Sequence, residues 1–297
     1  MKLFHSPTTR TLTAVLALAL FTPSAHPADA PPALSAKDLA ARLSAGMEDG
    51  NSFVRMRLEK GAPKETLQLQ IKQRRTKNST EVVYQVLWPK ERKGESVLLR
   101  KTGTRPTSGA LFTPPNTTRT LDAGDMKEAL FGSDLTYEDV VDNFFAWEQQ
   151  TLAGTEEVGG VLCQILESKP GKSGHSSYGS VRSWIDLRRL VPLRVEKYST
   201  GNQPLRRIDT TRVGTVDGRQ TPTNLTIRRS GQTSSTTLDG SKLQHGVTYT
   251  DSDFTSDGIK EVTGARSAPE YSPRSETLEC RESNAEFAIG AGRQRTY

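Results

Sequence analysis

The chain has 297 residues, of which 34% are hydrophobic, and its 40 Lys and Arg residues against 34 Asp and Glu give a net charge of +6. This length allows a sizeable core, but the polar composition favours sheets with one wet face, or a partly disordered chain. The positive surplus is small and scattered. It therefore gives no argument for a nucleic-acid-binding surface, and we expect no nucleic-acid partner.

Motifs for metal binding and catalysis are missing from the sequence. It has four histidines and two cysteines, and it contains no CxxC, HExxH, P-loop or GxSxG motif. His175 and His245 lie among Gly, Ser and Gln residues that are typical of loops, so a His-based catalytic triad is disfavoured. We expect no metal, no cofactor and no enzymatic activity.

Residues 1–28 are predicted to be a secretory signal peptide. Lys2 and Arg10 precede the apolar run 11–21, which is too short to cross a bilayer and is followed by small residues that suit cleavage. An uncleaved anchor is the alternative. The mature protein is expected outside the cytoplasm, in an oxidising compartment where Cys163 and Cys280 could pair, although a buried free Cys163 fits its apolar surroundings equally well.

The first half of the mature chain reads as a short helix followed by strands. Residues 35–43 form the predicted helix, with Ser35 as its cap and Leu39 and Leu43 on one face. Alternating or β-branched runs separated by turn signals predict strands at 52–59, 66–74, 80–88, 96–101, 110–112 and 118–121.

A second helix and a second series of strands are predicted further along the chain. The helix spans residues 134–150 and starts at a capping box of Thr136 and Asp139. On it, Val140, Phe144 and Trp147 would share one face. Further strands are predicted at 156–166, 180–186, 191–198, 205–213, 221–229 and 234–238.

About twelve strands joined mostly by short turns favour a mainly β fold, an antiparallel meander that curls strongly. A half-open β-barrel whose open side is covered by the two helices is the natural outcome, and such a fold is a container. We assign this domain to residues 31–262. Residues 263–297 are polar and poor in large apolar groups, which predicts a disordered tail.

Three segments together resemble the LolA-like outer-membrane lipoprotein-sorting proteins. The sequence FGSDLTYEDV at 131–140 resembles the family's GSDFSYEDL signature, and 157–166 and 178–198 resemble its following strand pairs. Thr136 stands in place of the signature's Ser, and Ser199 in place of an Asp that ends the last pair. The matching motif residues are Gly132, Ser133, Asp134, Tyr137, Glu138 and Asp139.

The resemblance implies a half-open antiparallel barrel of about eleven strands whose mouth is closed by helices. It also implies a periplasmic carrier whose apolar cavity holds the acyl chains of a lipoprotein or lipid on the way to the outer membrane. An inner-membrane exporter would be a further partner, and a monomer is expected. A lipid-sensing or assembly partner of an envelope complex is the alternative function, and an envelope hydrolase lacks the residues that it would need.

Large apolar residues near the predicted strands and the second helix are candidates for the cavity wall or lid, although ordinary core packing is the simpler explanation for each. The acidic residues Asp134, Glu138 and Asp139 are better explained by helix capping than by acid–base catalysis. The cavity candidates are Trp88, Leu98, Phe112, Phe144, Trp147 and Trp184.

Overall fold

A computed structural model describes residues 34–48, 50–103, 105–172 and 175–266. Within these ranges the chain forms two α-helices, six short 3-10 helices and thirteen β-strands, all in the compact unit that begins at Ala36. The predicted signal peptide, Cys280 and nearly all of the predicted tail lie outside the described residues. Cys163 is a free, buried thiol.

The helices are α1 (Ala36–Met47) and α2 (Tyr137–Val141). The strands are β1 (Gly50–Gly61), β2 (Lys64–Arg75), β3 (Ser79–Trp88), β4 (Ser96–Thr102), β5 (Ser108–Thr113), β6 (Thr117–Leu121), β7 (Gln149–Val158), β8 (Val161–Lys169), β9 (Ser180–Asp186), β10 (Val191–Tyr198), β11 (Pro204–Val216), β12 (Arg219–Arg229) and β13 (Thr236–His245).

All thirteen strands belong to one antiparallel sheet. Their order is β6-β5-β4-β3-β2-β1-β13-β12-β11-β10-β9-β8-β7, so the first and last strands of the chain pair in the middle of the sheet. Strands β6 and β7 are its two edges, and the curved sheet therefore stays open. The prediction of a mainly β, half-open antiparallel fold is confirmed.

The sheet buries apolar side chains on both faces of its β1–β6 half. We call the face that meets α2 the inner face. In β3, Val82, Tyr84 and Val86 point to the inner face and Val83 points to the outer one, as the two-residue period of a strand requires. The inner core is completed by residues from the segment between β6 and α2, which are Met126, Leu130, Phe131 and Leu135.

The outer face of the same half is covered by residues 251–263, which we call the C-terminal strap. Phe254 and Ile259 of the strap pack on a buried cluster that includes Leu98 and Phe112. The buried Lys72 Nζ donates to Asp253 Oδ1 at 2.8 Å and to Thr263 Oγ1 at 2.6 Å. The strap thus supplies both apolar cover and partners for a buried charge, which would otherwise be costly.

Of the predicted helix over 134–150, only Tyr137–Val141 is α-helical, and the rest of the prediction is wrong. The capping box at Thr136 is confirmed, but α2 ends at Val141, because Asp142 takes an extended conformation with φ −84° and ψ 143°. A 3-10 helix follows at Phe144–Ala146, and β7 starts at Gln149. The Asp142 carboxylate accepts hydrogen bonds from Lys101 and, at 3.1 Å, from Trp147 Nε1. These tertiary contacts override the helical periodicity.

The segment 156–166, predicted as a strand with a turn signal at Gly159 and Gly160, contains the hairpin turn between two strands. Strands β7 and β8 meet at the turn of Gly159 and Gly160, which have φ of 57° and 79°. Such positive φ values are easily adopted by glycine. The start of β7 was not predicted from the sequence. Most of its residues are exposed, and it therefore lacks the alternation of polar and apolar residues that marks a half-buried strand.

Candidate functional site

A cavity of about 630 Å³ lies between α1, the 3-10 helix Phe144–Ala146 and the inner face of strands β10–β13. Its volume is within the range of typical small-molecule and cofactor sites. Most of its wall is apolar. The apolar lining includes Leu43, Met47, Phe144, Phe145, Leu190, Val191, Pro192, Val195, Ile208, Pro222, Leu225 and Leu243.

Helix α1 forms one side of this cavity. Leu39 and Leu43, spaced one helical turn apart, are both buried, and Leu43 lines the cavity. Asn143 Nδ2 donates a hydrogen bond to Ser44 Oγ at 2.9 Å, which ties the helix to the segment that follows α2. The helix therefore covers the cavity on the side away from the sheet. It is not held by the backbone hydrogen bonds that join the strands.

Charged side chains stand at two levels of the cavity. Asp139 and Lys197 line it as buried residues, whereas Arg42, Arg188 and Arg219 line it and are exposed. A side chain that both lines a cavity and reaches solvent stands at the opening. We therefore call the three arginines the mouth arginines and the Asp139–Lys197 pair the floor.

The floor is a buried ion network centred on Asp139. Its side chain is 0% exposed, and it lies 2.6 Å from Lys197 Nζ and 2.8 Å from Arg206 Nη1. The Tyr178 hydroxyl also donates to it at 2.7 Å. Burial alone would raise the pKa of Asp139, but the two positive charges outweigh this effect and hold the pKa below its usual value.

Two other members of the acidic motif also bind the sheet or its connections. Asp134 accepts hydrogen bonds from Arg229 Nε and Thr236 Oγ1, each at 2.8 Å. Glu138 accepts from the backbone nitrogen of Ser177 at 2.9 Å. These contacts reach β12, β13 and the loop before β9, so the motif anchors α2 to the sheet.

The remaining motif residues shape the approach to α2. Gly132 has φ of 74°, a left-handed conformation that favours glycine. The Ser133 hydroxyl accepts a hydrogen bond from the backbone nitrogen of Leu135 at 3.2 Å. Tyr137 is buried in the inner core. The GSD part of the motif therefore sets a tight turn that presents the acidic residues to the sheet.

The structure brings together two of the six cavity candidates. Phe144 lines the cavity. The Trp147 ring packs edge-on against the Phe144 ring, with the two ring centroids 6.3 Å apart. Trp147 itself lines a separate space of about 280 Å³ beside Asp142 and Lys101.

The other four candidates lie elsewhere. Trp184 packs against Cys163 in a distinct cluster, and its Nε1 donates to Glu156 Oε2 at 2.9 Å. Leu98 and Phe112 lie under the C-terminal strap on the outer face, and Trp88 is exposed near the end of β3.

Most of the residues that form the cavity wall were not among the candidates predicted from the sequence. Val195, Ile208, Leu225 and Leu243 come from four successive strands of the sheet. Their strands were predicted, but the sequence does not tell which face of a strand points inward. Lys197 is a signal in the sequence that could have indicated the inward face of β10. It shares a strand face with Val195, and a lysine on an internal face needs a buried acidic partner.

In the part of the chain that the structure describes, no group of three or more His, Cys, Asp or Glu residues could hold a metal ion. In the same residues, every helix is too short or too polar to span a membrane.

Solved structures of other proteins share this architecture. A DUF1329 family protein from Desulfovibrio piger superposes with a TM-score of 0.70 at 22% identity, over 75% of this chain and 97% of that chain. A putative outer membrane lipoprotein-sorting protein domain from Vibrio parahaemolyticus gives a TM-score of 0.68 at 18% identity, over 76% and 98%. A LolA superfamily protein from Nitrosomonas europaea gives 0.61 at 18% identity, over 76% and 99%.

These likenesses, with the open sheet and its covered cavity, show that the chain has a LolA-like fold. A family model described as an uncharacterized protein matches residues 78–261, and the chain belongs to that family. No curated protein matches the chain.

Proposed function

We propose that the protein is a periplasmic carrier that binds the acyl chains of a lipoprotein or lipid and transfers them toward the outer membrane. The observation that carries this proposal is the apolar cavity of about 630 Å³ between α1 and strands β10–β13. The similar structure from Vibrio parahaemolyticus, a putative lipoprotein-sorting domain, supports it. The carrier would act as a monomer, with an inner-membrane exporter as donor.

The energetics suit a carrier that must both extract and release its cargo. Burying an acyl chain stabilises a complex by about 0.8 kcal/mol per methylene group, and the cost of ordering protein and ligand offsets part of this gain. Leu43 of α1 and Phe144 of the neighbouring 3-10 helix line the cavity from the side opposite the sheet. Movement of α1 would open the cavity without breaking any strand pairing.

A carrier role needs no catalytic group, and we propose none. Asp139 is the one acidic side chain among the described residues that line the cavity. Its oxygens accept hydrogen bonds from Lys197, Tyr178 and Thr136, and Arg206 pairs with it. A carboxylate that is held in this way is poorly placed to take up a proton from a substrate.

The first test is native mass spectrometry of the mature protein purified from an envelope extract, with organic extraction of its ligand. We expect one acylated molecule per protein. A protein that arrives empty and takes up no fluorescent fatty acid would contradict the carrier function. It would favour the alternative, a lipid-sensing or assembly partner of an envelope complex.

A second test blocks the cavity. Leu225 and Leu243 line it and are only partly buried, so Leu225→Trp and Leu243→Trp should fill ligand space without overpacking a closed core. We expect each variant to lose at least tenfold in affinity for a fluorescent fatty acid. Leu162→Trp is the matched control, because Leu162 is 71% exposed on β8, away from the cavity. Equal binding by all three variants would place the ligand elsewhere.

A further inference from the structure

The mouth arginines come from three separate parts of the chain. Arg42 lies on α1, Arg188 follows β9, and Arg219 starts β12, yet all three line one cavity and are exposed. None of them has a carboxylate partner among the described residues. Arg189 beside them differs, because its Nε lies 2.6 Å from Asp186 Oδ2. The cavity lining therefore includes three exposed arginines without an ion-pair partner in the described residues, whereas its one acidic residue, Asp139, is already paired.

The floor carries no such surplus. Lys197 is paired with Asp139 at 2.6 Å, and Asp139 also compensates Arg206. An anionic group placed at the floor would have to compete with Asp139 for these cations and would lose its hydration. An anionic group at the mouth would meet three guanidinium groups and remain hydrated. The charge distribution therefore orients a ligand with its apolar part inward.

We propose that the cargo is an anionic lipid whose negatively charged head group binds the mouth arginines while its acyl chain fills the cavity. This inference rests on the proposed carrier function. Guanidinium groups bind phosphate and carboxylate through paired, charge-assisted hydrogen bonds. A lipid with a neutral or zwitterionic head group would bury the same acyl chain, but its head group would interact less favourably with the mouth arginines.

The first experiment uses the wild-type protein and lipids of equal chain length. The neutral dye N-phenyl-1-naphthylamine reports occupation of the cavity, and it is displaced by C16 lysophosphatidylglycerol or by C16 lysophosphatidylcholine. We expect the anionic lipid to bind about tenfold more tightly, as modest contributions from three exposed ion pairs allow. This preference should shrink at 0.5 M NaCl, because exposed charges are screened there. Equal affinities would overturn the proposal.

The second experiment removes the charges. The triple variant R42Q/R188Q/R219Q should lose the preference for lysophosphatidylglycerol and keep the affinity for lysophosphatidylcholine. The control R55Q/R57Q/R105Q loses the same charge at exposed arginines outside the cavity lining and should keep the preference. If the triple variant fails to fold, each single substitution gives the same comparison on a smaller scale. A preference that survives all of these substitutions overturns the proposal.

The outcomes separate this inference from the carrier function. A protein that binds neither the dye nor any lipid contradicts both. A protein that binds the dye and both lipids equally remains a carrier but has no head-group site. Glycerol 3-phosphate alone should displace no dye, and displacement would identify a free-phosphate site instead. Recovery of an acylated peptide from the envelope extract, without anionic lipid, would also overturn the proposal.

Discussion

Asp139 is the residue on which the placement of α2 depends most. It belongs to the capping box of α2, and its other contacts come from β10, β11 and the loop before β9. The contacts of one carboxylate thus orient the helix and neutralise two buried cations. Removing one partner of a buried ion pair is far more costly than never having had the pair, because the remaining charge stays in a poorly solvated place.

The substitution Asp139→Asn should therefore lower the free energy of unfolding by about 3–5 kcal/mol. It leaves Lys197 and Arg206 buried without their anion. Urea denaturation followed by circular dichroism measures the effect. Asp257→Asn is the matched control, since its side chain is 90% exposed and its partner is Lys260, and it should leave the free energy of unfolding nearly unchanged. Equal effects would refute the role given to the network.

The same network predicts a loss of stability in acid. Burial opposes ionisation of Asp139, yet Lys197 and Arg206 hold its folded pKa below the usual value, and Asp253 is likewise lowered beside Lys72. In the unfolded chain an Asp takes up a proton near pH 3.9, before the folded state does. The stabilisation is thus complete above about pH 5 and is lost as the pH falls through the folded pKa.

Urea denaturation between pH 7 and pH 3 tests this. The difference in stability between the wild type and Asp139→Asn should narrow as the pH falls. A difference that stays constant over this range would show that the pKa of Asp139 is not lowered by folding.

At the scale of elements, local signals predicted the strands well and the covering segments less well. Strands β9 and β10 occur at the predicted residues, because clear alternation and turn signals bound them. Val140, Phe144 and Trp147 do follow a helical period, but α2 ends before Asp142, whose carboxylate meets Lys101 and Trp147. The contact with Lys101 joins residues far apart in the sequence, and no local pattern encodes it.

The C-terminal strap shows the same limit. Its residues lie at the end of a region whose alternation has faded, yet Phe254 is fully buried on the outer face of the sheet. What secures the strap is the pairing of Lys72 with Asp253 and Thr263. Lys72 in turn sits within an alternating strand where the sequence favours a solvated position.

We predict that Phe254→Ala destabilises the protein by about 3–5 kcal/mol, the usual cost of emptying a buried phenylalanine site. The affinity for a fluorescent fatty acid should stay within about twofold of the wild type in the folded variant, because the strap lies on the face opposite the cavity. Thermal denaturation and dye titration measure the two effects. Leu162→Ala, at an exposed position, is the control. A loss of affinity without a loss of stability would connect the strap to the ligand instead.

For the whole molecule, the two halves of the sheet are filled differently. The inner face of the β1–β6 half is packed by the segment around α2, which includes Leu130, Phe131 and Val141. The inner face of strands β10–β13 keeps a cavity under α1 and the 3-10 helix Phe144–Ala146. The β1–β6 half is therefore filled by packed side chains. The β10–β13 half keeps an open cavity, and the segments that cover this cavity are attached to the sheet mainly by side-chain contacts.

This difference between the two halves predicts which helix a bound ligand will protect from hydrogen exchange. A helix of twelve residues such as α1 is only marginally stable alone in water, so its amide protons should exchange by local opening. If opening α1 releases the ligand, a free ligand concentration of 100 Kd stabilises the closed state by about 2.7 kcal/mol and slows exchange in α1 by about 100-fold. Helix α2, anchored by Asp139, is the internal control and should change little. Hydrogen exchange with mass spectrometry, with and without C16 lysophosphatidylglycerol, makes this measurement. Unchanged exchange in α1 at saturation would mean that the ligand enters and leaves without moving this helix.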